Sequence, residues 1–97
     1  MNLAQAYNEQ LAARLEGVLA GTETLHALLA SPGLLFNALQ PCLHGLQHYL
    51  ADSDIRGRDA DYRQMQEDEM RLLIYLLRQA ADPATLSKVD FLSRTAP

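Results

Sequence analysis

Six consecutive apolar residues, Leu72-Leu73-Ile74-Tyr75-Leu76-Leu77, fill more than one turn of any helix that contains them. At ~100° per residue they point in every direction, so every side of that turn has to be covered. A chain of 97 residues has few other elements for the task. Two partner helices hardly suffice, so a second polypeptide is expected to supply the rest of the cover.

The rest of the chain is written in the same helical alphabet. Ala, Leu, Gln, Glu and Arg dominate, and these are strong helix formers. β-Branched residues are scarce, and no stretch alternates apolar and polar as a half-buried strand does. The length suits one domain, residues 1–97. The expected class is all-α: a small bundle of three long helices plus a short C-terminal one, with Gly21 as the point where the first would split.

The first helix is expected from about 2 to 30. Ala4, Tyr7, Leu11, Leu15, Val18 and Leu19 fall on one side, with Gln5, Glu9 and Glu16 opposite. Gly17 and Gly21 each weaken it by about 1 kcal/mol relative to Ala, and their spacing allows another helix to approach closely. A break at Gly21 would hand the N-cap of a new helix to Thr22 or Thr24. The apolar register nevertheless continues, since Ala4, Leu11, Val18 and Leu25 are seven apart, as are Leu15, Thr22 and Leu29. This spacing predicts one rod ending at Ser31-Pro32-Gly33.

The second helix is expected over 33–51, kinked at Pro41. Leu35, Leu39, Cys42, Leu43, Leu46, Tyr49 and Leu50 make its buried face, with Asn37, Gln40, His44, Gln47 and His48 opposite. Asp52 to Gly57 forms a connection. The third helix is expected over 58–81, with Asp59 and Asp61 early and Arg78 late, as the helix dipole favours. Asp82-Pro83 caps a last helix over 83–92, with Leu86, Val89 and Leu92 on one face. The tail, 93–97, is expected to fray.

Twelve acidic against eight basic residues give a net charge of −4. Lys88 is the single lysine and the arginines are dispersed, so the clustered cations that nucleic-acid binding needs are missing. No apolar run approaches the ~20 residues that span a bilayer, and no basic-then-apolar leader opens the chain. A cytoplasmic protein that binds neither nucleic acid nor membrane is expected. Cys42 has no second cysteine to pair with.

Few residues suggest chemistry. His44 and His48 lie one helical turn apart and Asp52 extends the stripe, a weak pattern for a transition metal. A pair of exposed histidines on a polar face accounts for it better, and no metal is assigned. Glu69 projects into the apolar arc near Tyr62, Met65, Leu73 and Leu76, as a ligand or acid–base group or as half of a structural ion pair. The charge-dense corner from Asp52 to Arg63 is a solvated mixture or a docking surface. Cys42 sits on an apolar face, and His44 points elsewhere on the helix, so no activated thiol is expected. Phosphate loops and nucleophile elbows are absent, and neither an enzyme nor a cofactor is expected.

The surplus of apolar helix surface leads to a non-enzymatic protein-interaction module, of adaptor, regulator or chaperone-like type. Its expected partner is a second copy of itself, and its expected interface is Leu72, Leu73, Ile74, Tyr75, Leu76 and Leu77. The alternative is a metal- or small-ligand-binding bundle built on His44, His48 and Asp52, or on Glu69.

Overall fold

The computed structural model describes residues 2–92. The expected fraying of 93–97 lies outside the described residues. Asn2 and Gln5 open α1 (Leu3–Ala20) with reciprocal hydrogen bonds: Asn2 Oδ1 accepts from the Gln5 N–H at 2.8 Å, and Gln5 Oε1 from the Asn2 N–H at 3.0 Å.

The single rod to residue 30 is not what forms. Gly21 takes a left-handed φ of 80°. The Thr22 N–H bonds to the Gly17 carbonyl at 2.9 Å and the Gly21 N–H to the Val18 carbonyl at 3.2 Å, the paired closure of a Schellman motif. The chain restarts in α2 (Leu25–Ala30), with the Thr24 hydroxyl accepting from the Ala27 N–H. Seven-residue spacing describes only which way side chains point. The break is decided by a residue without a Cβ and by the Arg14–Glu23 ion pair that holds the turn against α1.

The second segment is helical throughout 33–51, though not uniformly α. It consists of a 3₁₀ turn at Gly33–Leu35, α3 (Phe36–Leu39), a second 3₁₀ turn at Gln40–Cys42, and α4 (Leu43–Ala51). Pro41 has no N–H to donate, and the backbone tightens around it. Leu35, Leu39, Cys42, Leu46 and Tyr49 are buried, while Leu43 and Leu50 are half-buried. The connection after Asp52 contains a helix of its own, α5 (Ser53–Arg58).

In α6 (Ala60–Arg78), Asp59 Oδ1 accepts from the Tyr62 N–H at 3.0 Å. Its C-terminus repeats the closure seen at Gly21: the Ala81 N–H bonds to the Leu76 carbonyl at 3.0 Å and the Ala80 N–H to the Leu77 carbonyl at 3.2 Å. Here the left-handed position, φ 54°, is held by Ala80. α6 thus stops short of residue 81. The Asp82 carboxylate caps α7 (Pro83–Ser87), accepting from the Thr85 N–H at 2.8 Å. α7 ends before residue 92, and Leu92 is 51% exposed where a buried position was expected. Phe91, at a left-handed φ of 64°, is fully buried in its place.

The molecule is all-α, with no strand among the described residues. α1 and α6 form its antiparallel centre: Arg78 bonds to Glu9 and Glu16, while Leu19 and Ala20 lie beside Arg71 and Ile74. Leu11, Ala12 and Leu15 of α1 and Met70, Leu73 and Leu77 of α6 are all excluded from solvent. The shorter helices close round this pair to a radius of gyration of 12.6 Å, near the ~13 Å expected of a compact chain this size.

One approach is closer than any side chain permits. A Cβ on Gly45 would lie 2.2 Å from the Val89 carbonyl oxygen and 3.1 Å from the Phe91 ring. Gly45→Ala is expected to cost about 2 kcal/mol, within the usual range for overpacking, because backbone has to give way. Urea denaturation measures it, and a variant as stable as its parent would show that the 89–91 segment does not press on α4.

Candidate functional site

The apolar turn of α6 was expected as an interface, and most of it is core. Leu73, Ile74 and Leu77 are 0%, 6% and 1% exposed, and Leu72 and Leu76 are half-buried. The premise that this chain is too short to cover the turn is therefore corrected. α1 supplies most of the cover, with α7 packed on α6 as well. Tyr75 is the exception, 59% exposed. It lines a groove of about 590 Å³ between α1 and α6, with Leu19, Ala20 and Ile74 on its floor and Glu16, Arg71 and Arg78 along its edges.

Arg78 straddles those edges. Its guanidinium donates to Glu9 at 2.9 Å and to Glu16 at 2.5 Å, joining both helices across solvent. These bonds push Arg78 further up from its ordinary value and hold the Glu16 carboxyl below its ordinary 4.5. A second groove, about 660 Å³, lies where the α1 N-terminus meets the turn into α7, lined by Leu3, Tyr7, Asn37, Pro41, Asp82 and Leu86 among others. It holds no histidine and no cysteine.

The histidine stripe does not converge on a third ligand. His44 Nε2 and His48 Nε2 face each other at 3.2 Å with the rings edge to face, one nitrogen donating and the other accepting. Asp52 is engaged elsewhere: its Oδ2 accepts from the Tyr62 hydroxyl at 2.7 Å and from Gln66 Nε2 at 3.0 Å. No group of three or more potential metal ligands occurs among the described residues. Glu69 is 2% exposed on the buried face of α6, which it shares with Gln66, Met70 and Leu73.

The most connected polar residue escaped the sequence reading. Gln66 is fully buried. Its Nε2 donates to Asp52 and to the Phe91 carbonyl at 2.9 Å, with Tyr62 Oη at 3.2 Å, and its Oε1 accepts from Arg56 Nη1 at 2.7 Å. Arg56 also donates to the Tyr49 carbonyl and lies 3.7 Å over the Tyr49 ring. Tyr49 in turn meets Phe91 edge to face at 5.4 Å. The charged corner thus has one inward arm, Asp52 and Arg56, which ties α4, α5 and α6 to the C-terminal segment. Spacing marks Gln66 as one turn from Tyr62 and from Met70, but nothing local reveals that Phe91 will need its amide.

Cys42 is buried, with the thiol donating weakly to the Ala38 carbonyl at 3.8 Å, and burial pushes its pKa up to about 12. It is a thiol, not a thiolate, near neutrality. In comparisons with known proteins, the chain matches no family model, no curated protein and no solved structure. No helix among the described residues is long and apolar enough to cross a membrane.

Two outcomes follow from these groups. Cys42 is expected to react with Ellman's reagent near pH 8 only as fast as the chain unfolds, and rapid labelling under native conditions would contradict its burial. The Glu16 carboxyl is more acidic folded than unfolded, so its contribution is complete above 4.5 and is lost as pH falls through the lower folded value. Thermal midpoints taken from about pH 5 to about pH 3 should therefore fall further in the parent than in Glu16→Gln. Parallel curves would show that the Arg78 bridge contributes nothing.

Proposed function

We propose that this chain is a protein-interaction module, of adaptor or regulator type, that acts by binding rather than by catalysis and pairs with a second copy through the groove between α1 and α6. The observation that carries the proposal is Tyr75. Within a turn otherwise given over to the core, it alone stands 59% exposed, beside a groove whose floor is apolar. Tyrosine is suited to this position, because its ring contributes large apolar contact at low entropic cost while the hydroxyl stays hydrated.

A second copy fits the edges as well as the floor. An isologous contact brings one patch against itself, so the patch has to carry both signs of charge. Glu16 of α1 and Arg71 of α6 line the groove with opposite signs, and each would exchange or share its partner within the chain, Arg78 for Glu16 and Asp68 for Arg71, on pairing.

Tyr75→Asp tests the proposal, since the residue is exposed and the fold should survive. Sedimentation equilibrium is expected to show a dimer for the parent and at least a tenfold weaker one for the variant, about 1.4 kcal/mol of association energy, with unchanged circular dichroism. A parent chain that sediments as a monomer at every concentration, or a variant that dimerises equally well, would sink the proposal.

A further inference from the structure

The C-terminal segment is attached through a strained hinge to contacts made entirely with residues that precede the hinge. We infer that two copies of this protein exchange residues 83–91. The inference rests on the reading that the chain pairs with itself, and it specifies a contact other than the Tyr75 groove.

The hinge is the turn at Ala80. The closures ending α1 and α6 share one hydrogen-bond pattern, yet the left-handed position is Gly21 in the first and Ala80 in the second. A side chain there brings Cβ against the following carbonyl, a bias of roughly tenfold against that backbone state. The local sequence prefers something else. Arg78, Gln79, Ala80 and Ala81 are all good helix formers, and Ala is the best of them. Opening the turn lets α6 run on to Ala81, exchanging a strained residue for helix. Pro83 then stops propagation, because its ring disfavours a helical Asp82. α7 survives with its own Asp82 cap.

The docking site makes exchange possible without any new contact. Leu86, Val89 and Phe91 are 3%, 2% and 0% exposed, so the arm carries a real share of the core. It packs on the Gln40–Cys42 turn, on α4 and on α6, all of them N-terminal to the hinge. Gly45 admits the Val89 carbonyl, and Gln66 donates to the Phe91 carbonyl. A second copy offers the same glycine and the same amide. Exchange keeps each of these contacts, relieves both Ala80 residues, and is opposed by the entropy of association, so it grows with concentration.

The test uses the full chain in three forms: the parent, Ala80→Gly, and a chain lacking Ala80 and Ala81. The parent is refolded at high concentration, and the dimer fraction is separated. In a dimer of mixed isotope labelling, filtered NMR is expected to show contacts between Phe91 of one copy and Gly45 and Tyr49 of the other. Ala80→Gly, which accepts the left-handed turn and disfavours continued helix, should raise the dissociation constant at least tenfold. The shortened chain, with too little backbone to reverse, should be dimeric throughout a dilution series. A folded monomer of the shortened chain, or a parent dimer with only intramolecular Phe91–Gly45 contacts, would overturn the inference. If the shortened chain does not fold, the parent's NMR contacts decide alone. Tyr75→Asp in the parent separates the two readings: it disperses a groove dimer and leaves an exchanged one intact.

Discussion

The antiparallel pair of α1 and α6 is the centre on which the structure depends: α1 also packs on α2, on α3 and on the Gly33–Leu35 turn, and α6 packs on α5 and α7. Gln66, Glu69, Met70, Leu73, Ile74 and Leu77 follow the three-and-four spacing of a core-facing helix, and the turn 72–77 adds apolar surface beyond that face. An isolated helix would leave that turn in water. α1 covers one side by running antiparallel to it. The chain reverses through left-handed residues at Gly21, Gly33 and Ala80.

The cover is completed at its least helical part. Phe91 and Val89 belong to no long helix, yet they are among the most buried residues. Their backbone carries carbonyls into the interior, and a buried carbonyl without a donor is costly. Gln66 resolves this for Phe91, and Asp52, Tyr62 and Arg56 satisfy the rest of the Gln66 amide. Such a network is stable only when each member is engaged. It makes the charged corner structural on its inner side and leaves the outer charges to solvent.

Cys42 is buried, whereas His44 is exposed and His48 half-buried, with their rings turned toward each other. The exposed apolar features are those of contact: Tyr75 over a groove, and Leu34 and Phe36 at the corner before α4. The proposed pairing rests on that exposed apolar surface.

Much of the architecture was legible from residue order. Helical class, the buried face of 35–50 and the Asp82 cap follow from periodicity and from side-chain oxygens that satisfy free N–H groups, both local properties. Three features were not. The Gly21 break was hidden because the heptad spacing from Leu15 to Leu29 continues across a turn as readily as along a rod. The stretch 53–58 has the Ser, Asp and Gly of a loop, yet it is helical where it packs on α6. The end of α6 at Arg78 has no stop signal before Asp82-Pro83. Sequence by itself determined where helices can exist and which sides of them avoid water, since both depend on neighbours within a turn or two. Only the tertiary structure decided that Gln66 is interior, that Ala80 adopts a glycine's conformation, and that Tyr75 is left outside. Each of those depends on the arm 83–91 or on α1 reaching α6, and contacts between segments so far apart in the chain leave no periodic mark in either one.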